Sequence, residues 1–390
     1  MDKRTGLPVV GMVGGGQLAR MTHQAAIALG QSVRVMSIGP DESAALVAHD
    51  VQIGSHLQAT DLAALAAECD VVTFDHEHVP GALIEQLEAA GVKVFPGSKA
   101  LLHAQDKLAM RSRIAAWGGA AQPRWAPVTT ADEISHFAGG QWPVVLKAAT
   151  GGYDGKGVWV VHDPATATDV LADAEEAGFA VLAEELVPLR REVAALIARS
   201  SFGQVSAWPV VETVQQDGIC VEVIAPAPRL ATADAEAITS MAISLATELD
   251  VVGVMAVELF ETTDGRYLVN ELAMRPHNSG HWTMDGSVTS QFEQHLRAVL
   301  DYPLGTTSAR APYTVMANVL GGEDGGPTID ERVHHLMARW PSIKIHLYGK
   351  QVRPGRKIGH VTAYGDDLSK LREITSAAAD YLTRGVLDEH

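Results

Sequence analysis

Apolar and polar positions alternate along the chain in two regimes. In the first hundred or so residues, short apolar runs are separated by stretches of helical period. Val9–Val13, Val33–Ile38, Val71–Phe74 and Val92–Phe95 read as strands, with helices over Gln17–Leu29, Asp61–Glu68 and Ala82–Ala90 between them. Strands alternating with helices predict a parallel, doubly wound sheet. A helix over Lys99–Trp117 leads out of this region. Val144–Ala148 and Val158–Val161 are strands on either side of a glycine-rich loop. A helix over Ala165–Ala177 and a strand over Phe179–Glu184 complete a small α+β unit. From Glu192 onward antiparallel strands are expected, with helices over Ala233–Leu249 and Val288–Leu300. Gly321–Gly326 reads as a surface loop, and Glu331–Leu382 as helix, strand and helix.

Val254–Glu271 folds as a hairpin on the Asp264-Gly265 turn signal. A two-residue loop pairs Thr263 with Arg266, Thr262 with Tyr267 and Phe260 with Val269. Glu258 then falls opposite Glu271. Opposed residues share one face of the sheet, and two facing carboxylates destabilise a ladder. A divalent cation between them removes the repulsion, and hard cations take carboxylate oxygens. The apolar flanks speak for a buried pair rather than two solvated glutamates. The hairpin therefore reads as a Mg²⁺ platform, and Mg²⁺ on few carboxylates usually also holds nucleotide phosphates.

Composition narrows the class. The chain has 390 residues, 47% of them hydrophobic, enough for about two or three domains. A net charge of −17 speaks against a nucleic-acid backbone or an anionic membrane as partner. Cys69 and Cys220 are far apart, which suits a reducing cytoplasm and excludes a disulfide framework or a cysteine metal site. No apolar run approaches membrane-spanning length, and the N-terminal segment lacks a signal-peptide core.

Two glycine-rich loops and a polar loop carry candidate chemistry. Gly14-Gly15-Gly16 follows the first strand and opens a helix, a place where an anion can bind. Gly14, Gly16 and Ala19 also satisfy G-x-G-x-x-A. The dinucleotide fingerprint wants an acid at the end of the second strand, and Met36–Pro40 has none. The loop therefore reads as a phosphate or carboxylate site, or as a plain tight turn, and not as an NAD site. Lys147 sits near the end of an apolar strand, where an ammonium is costly unless an anion meets it. Beside it Gly151, Gly152, Gly155 and Gly157 form a tip whose amides can fold over phosphates. Met274–Trp282 follows Glu271 and crowds Arg275, His277, Asn278 and His281 beside the proposed metal.

Two further spots stand out. Glu77 follows the strand Val71–Phe74, at the edge where open α/β sheets bind ligands. His76 and His78 flank it without a third nearby metal ligand. Lys350, Arg353, Arg356 and Lys357 place four basic residues within eight positions of an acidic chain. That segment is either a solvated basic face or a site for a substrate phosphate.

Lys147 before GGYDGKG, Glu184-Glu185, Glu192 and the Glu258…Asn270-Glu271 pair resemble the ATP-grasp superfamily. GGGQL at Gly14–Leu18, GGYDGKG at Gly151–Gly157, ELAMRPHNSGHW at Glu271–Trp282 and GRKIGHV at Gly355–Val361 resemble, more narrowly, the 5-(carboxyamino)imidazole ribonucleotide synthetase family. The resemblance runs from about residue 8 to about residue 380. It implies an ATP-dependent carboxylase of purine biosynthesis, in which bicarbonate is phosphorylated by ATP and its carboxyl group passes to an aminoimidazole amine. It also implies an ATP-grasp fold: an N-terminal doubly wound domain over about 1–110, a central lid over about 111–190 and a C-terminal α+β domain over about 191–390. A homodimer acting on small molecules in the cytoplasm is implied as well.

The same resemblance assigns roles. Lys107 and Lys147 would hold ATP phosphates under a loop of Gly152, Tyr153, Asp154, Gly155, Lys156, Gly157 and Val158. Glu184, Glu185, Leu186 and Val187 would frame the adenine, and Glu192 the ribose. Gln215 stands where a nucleotide-contacting histidine is usual. Glu258 and Glu271 with Asn270 would hold Mg²⁺, although strict strand alternation turns Asn270 away from Glu271 unless a bulge intervenes. Arg275, His277 and Asn278 would hold bicarbonate. Tyr153 and Asp154 would meet the imidazole, with Asp154 a candidate base. Gly15, Gly16, Gln17, Leu18, Glu77, Lys350, Arg356 and Lys357, together with Arg275, would meet the ribonucleotide substrate. Rival readings are a sister ligase using formate, an NAD-dependent oxidoreductase and a non-catalytic nucleotide sensor.

Overall fold

The computed structural model describes residues 1–152, 155–322 and 325–386. Tyr153 and Asp154 lie outside the described residues, as do Glu323 and Asp324. Among the described residues, three sheets of four, four and nine strands organise the chain.

The first sheet is parallel. It contains β1 (Val9–Val13), β2 (Ser32–Ser37), β3 (Asp50–Ile53) and β4 (Val71–Phe74), in the order β3-β2-β1-β4. β1 and β4 are apolar and almost wholly buried, as a strand covered on both faces must be. Around them lie α1 (Gln17–Leu29), α2 (Ala59–Ala67) and α3 (Gly81–Ala89). Two expectations need correcting. β3 was not expected, because its Asp-Val-Gln-Ile sequence is a half-exposed edge without an apolar run. Val92–Phe95 is not a full strand; only Val94 makes a bridge, to Val72.

The long helix expected over Lys99–Trp117 is two helices, α4 (Ser98–Gln105) and α5 (Lys107–Trp117). Asp106 divides them with extended backbone, and its carboxylate accepts from Leu108 N (2.8 Å) and Ala109 N (3.0 Å). That is an N-cap, which satisfies amides a helix start leaves open. The break brings Lys107 N to Ala149 O at 2.8 Å, tying α5 to the second sheet.

The second sheet holds β5 (Trp125–Val128), β6 (Val144–Ala148), β7 (Val158–Val161) and β8 (Val181–Glu185), ordered β5-β8-β6-β7 and antiparallel throughout. α6 (Ala131–Ala138) and α7 (Pro164–Ala177) cover one face. β5 and α6 were not expected. Pro127 obscures β5, and it is tolerated there because β5 is an edge strand.

The third sheet begins with β9 (Leu189–Arg199), β10 (Val205–Ala207), β11 (Val211–Gln216) and β12 (Ile219–Ala225). After α8 (Thr232–Glu248) come β13 (Gly253–Thr262) and β14 (Tyr267–Ala273). The short α9 (Thr283–Gly286) and α10 (Gln291–Val299) lead to β15 (Tyr313–Leu320). α11 (Ile329–Arg339), β16 (Lys344–Leu347), β17 (Lys357–Gly365) and α12 (Leu368–Arg384) complete the chain. The strand order is β14-β13-β9-β11-β12-β15-β17-β16, with β10 beside β9. The terminal part thus contributes two strands where one was expected. The Gly321–Gly326 run is not simply a surface loop. Gly321 is buried, its amide donates to Arg356 O (2.7 Å), and a side chain there would strike the Arg353 backbone.

Asp106→Ala should cost about 1 kcal/mol through the lost cap, and Asp106→Asn should retain most of it. Thermal melts of the two variants against the parent protein check this.

Candidate active site

One cavity of about 1150 Å³ lies where the three sheets meet, lined from all of them and from the start of α5. β13 and β14 form its floor. Glu258 faces Glu271 across this hairpin, as the sequence predicts, but by a different route. The turn has three residues, because Thr262 N donates to Arg266 O and Gly265, at φ +83°, takes the left-handed position. Phe260 therefore pairs with Leu268 and not Val269, and Glu261, not Thr262, pairs with Tyr267. Thr263 lies within the turn and has no partner at Arg266. A bulge then skips Asn270: Leu259 pairs with Val269, and Glu258 with Glu271. The bulge restores the opposition of the carboxylates and lets Asn270 line the cavity beside them.

This floor is electrostatically unbalanced. Burial, then the Glu271 and Glu192 carboxylates, push the Glu258 carboxyl up to about 8. Burial also raises Glu192, and a hydrogen bond from Gln215 opposes that shift. Lys107 Nζ is ion-paired with Glu271. His277 Nε2 lies 3.3 Å from Glu258 Oε1. Burial, aided by the Arg275 and Lys357 charges, lowers His277 to about 3, so the ring is neutral. Two close carboxylates and an amide oxygen, with too little positive charge to settle them, are a donor set that fits a hard divalent cation.

Lys147 lines the cavity beside the floor. Its anion is a protein carboxylate: Nζ is 2.8 Å from Glu184 Oε2 and donates to Asn270 Oδ1 at 2.9 Å. Glu184 also pairs with Arg111 at 2.7 Å. Burial pushes the Glu184 carboxyl up, but the Lys147 and Arg111 charges outweigh it and hold it below its ordinary value.

The helix start at Gly16 likewise meets an internal anion. Gly16 N donates to Asp75 Oδ2 at 2.6 Å, so the chain itself supplies the carboxylate that caps α1. A side chain at Gly14 would overlap Asp75, and one at Gly15 would come within 2.5 Å of Glu42 Oε2. The glycines admit these two acids. Glu42 is the acid not recognised after the second strand, and it is held by Ser37 Oγ (2.6 Å) and Ile38 N (3.1 Å). Burial raises Asp75 to about 6. Nearby, His56 meets the His76 ring edge-to-face at 4.5 Å between centroids, and His76 stacks on His78 at 5.4 Å.

The Met274–Trp282 loop is pinned from two sides. Glu77 accepts from Met274 N (2.9 Å) and Arg275 Nε (3.1 Å). Buried Gln291 accepts from His277 N and donates to His277 O, both at 2.8 Å. Asn278 exchanges amide hydrogen bonds with Asn318 at 2.9 and 2.8 Å.

Most of the predicted site residues line this one cavity. They include Gly15 to Leu18, Glu77, Lys107, Lys147, Gly152, Gly155 and Val158. Glu192, Gln215, Glu258, Asn270, Glu271, Arg275, His277, Asn278 and Lys357 complete the set. Lys156, Gly157, Glu184 to Val187, Lys350 and Arg356 are not among the lining residues. Lys350 Nζ donates to Gln17 Oε1. Arg356 is exposed and turned to Gln351 O (3.4 Å).

Comparison with known proteins agrees with this geometry. Residues 114–292 match the ATP-grasp domain model, residues 7–105 the ribonucleotide synthetase preATP-grasp domain, and residues 314–374 the phosphoribosylaminoimidazole carboxylase C-terminal domain. N5-carboxyaminoimidazole ribonucleotide synthase of Mycobacterium tuberculosis is 60% identical over 383 residues, which is 97% of this chain and 88% of that protein. The chain belongs to the N5-carboxyaminoimidazole ribonucleotide synthetase family. The Corynebacterium ammoniagenes member is 46% identical, covering 99% of this chain and 94% of its own. Among solved structures, the Thermus thermophilus synthetase superposes with a TM-score of 0.84 at 34% identity, covering 97% of this chain and all of that one. The Aspergillus clavatus family member, solved with ADP and 5-aminoimidazole ribonucleotide, superposes with a TM-score of 0.86 at 29% identity, covering 96% and 99%. The three sheets are those of the ATP-grasp fold with its preATP-grasp and C-terminal parts.

Sequence reasoning missed Asp75, Glu42 and His56 in the family cavity, and Arg111 behind it. Asp75 was findable, since it follows β4 directly at the carboxyl edge of the sheet. Arg111 shares a helix face with Lys107 four residues earlier, the available signal.

The folded Glu258 carboxyl keeps its proton to about pH 8, while the unfolded one loses it near the ordinary 4.5. Between those values the folded state binds more protons, so stability falls as pH rises. In EDTA, Glu258→Gln should therefore gain stability over the parent from about pH 5 to pH 8, on the order of a few kcal/mol at the upper end. Melting temperatures across that range check it.

Proposed function

We propose that this chain uses ATP and bicarbonate to carboxylate the exocyclic amine of 5-aminoimidazole ribonucleotide, releasing ADP and phosphate. The observation that carries this reading is the bulged hairpin: Glu258, Asn270 and Glu271 meet in one cavity with Lys107 and Lys147. The family membership supports the choice of substrate.

Glu258, Glu271 and the Asn270 amide oxygen would hold Mg²⁺. When bound, the ion supplies charge neutralisation at the transferring phosphoryl group. Lys147 has three N–H donors and gives two contacts to Glu184 and Asn270, leaving one for a phosphate oxygen. Lys107 would turn from Glu271 to the phosphates. A bicarbonate oxygen attacks the γ-phosphorus, and the bond to the β–γ bridging oxygen breaks, giving carboxyphosphate and ADP. The substrate amine then forms the N–C bond as the C–O bond to phosphate breaks, and the amine proton passes to a base.

Arg275 and the neutral His277 would orient the bicarbonate. Glu77 and Gln291 keep their loop from moving away as charge develops. Asp154 is our candidate for the base, by resemblance. Lys357 supplies positive charge near Glu258 and His277, which supports a part at the reacting end beside the substrate contact that the resemblance implies. Gln215 would support Glu192 at the ribose. A cytoplasmic homodimer is the state we infer from the resemblance.

Phosphate release from ATP should require both bicarbonate and 5-aminoimidazole ribonucleotide. Release that depends on formate instead would overturn the carboxylase reading. Glu271→Gln should lower kcat by at least about a hundredfold, and above about pH 8, where Glu258 is ionised, relief of the opposed charge should offset the lost Lys107 ion pair in metal-free stability. A coupled ADP assay and a melt in EDTA measure the two.

A further inference from the structure

Arg111 is the charged side chain most completely enclosed near the cavity, only 1% exposed. Such a cation must find its partners inside the protein. Its Nε donates to Glu184 Oε1 at 2.8 Å. Its Nη1 donates to Val269 O at 2.6 Å and its Nη2 to Asn270 O at 2.9 Å. Those carbonyls belong to Asn270, the residue the β14 bulge leaves unpaired, and to the residue before it. A bulge disrupts the ladder locally and leaves its backbone groups in need of other partners. The planar fork of an arginine spans two carbonyls and a carboxylate at once, which an ammonium cannot do.

The second Glu184 oxygen holds Lys147, and Lys147 donates to Asn270 Oδ1. The contacts close into a ring: Arg111, Glu184, Lys147, Asn270 and back to Arg111. Its members come from α5, from β6 and β8 of the second sheet, and from β14 of the third. Asn270 is therefore gripped by its backbone and its side chain together, and Glu271 is the next residue. We propose that Arg111, paired with Glu184, is a positioning residue for the reaction: it sets the bulge that presents Asn270 and Glu271 to the cation and locks Lys147 to the same frame.

This inference rests on the ATP and metal reading, and its test separates the two. Arg111→Lys keeps the charge beside Glu184 but loses the fork. Glu184→Gln keeps an acceptor for Arg111 and loses the ion pair to Lys147. Mn²⁺ affinity of the ADP complex, read from free Mn²⁺ by electron paramagnetic resonance, requires no turnover. Each variant should weaken Mn²⁺ binding about ten- to a hundredfold, the usual effect of removing a group that orients metal ligands. Arg111→Lys should change metal-free ADP binding less than about twofold, because its Lys147–Glu184 pair stays intact. A residue that only holds the fold together would shift the melting temperature and leave Mn²⁺ affinity alone. Parental Mn²⁺ affinity in both folded variants would sink the proposal, and so would the failure of both to give a cooperative melt. If the parent protein itself binds no Mn²⁺ with ADP, the metal reading falls first and this inference falls with it.

Discussion

Two carboxylates that face each other on a half-buried hairpin set the terms for the rest of the molecule. Glu258 and Glu271 repel, and burial has removed much of the water that would screen them. Folding tolerates the conflict because neighbouring groups meet part of it. Glu258 keeps a proton to unusually high pH, Lys107 reaches over from α5 to Glu271, and His277 stays neutral at the Glu258 edge. Each response comes from a different stretch of chain, so the conflict itself helps to draw the elements together. A hard cation resolves in one step what these groups resolve in part.

The same economy recurs at the other anion-seeking positions. The amide at the start of α1 and the ammonium of Lys147 are places where a ligand's phosphate is the natural expectation. Both meet internal carboxylates, Asp75 and Glu184. An acidic chain with few cations can hold its shape this way before any ligand arrives. Lys147, with a donor to spare, can still serve a phosphate.

Apolar pattern and motif made the cores of the three units legible. β1, β4, β6 and β7 and helix α1 have the bounds their apolar runs predict. Edge strands were not legible: β3 and β5 carry polar residues or a proline because one side of each lacks a strand neighbour. The opposition of Glu258 and Glu271 was reached through two displacements that cancel, a three-residue turn and a bulge at Asn270. Local turn chemistry shows the first weakly, and only the tertiary contacts of Arg111 and Lys147 account for the second. Arg111 finds its carbonyls 158 and 159 positions away in sequence, a distance no local pattern encodes. Glu42 was overlooked because it lies beyond the strand end and folds back onto Ser37.

The pairing of Lys107 with Glu271 has a consequence for ionic strength. The two side chains are bound to each other while still 13% and 39% exposed, so the pair is open to exchange. Arrival of a nucleotide with its cation is then a double displacement: phosphate takes the lysine and the cation takes the carboxylate. Ion pairs are swapped rather than created. Screening ions act on both sides of such an exchange, and much of their effect cancels. Nucleotide capture at this position should vary only gently with salt, unlike capture by a cavity that waits with an uncompensated lysine.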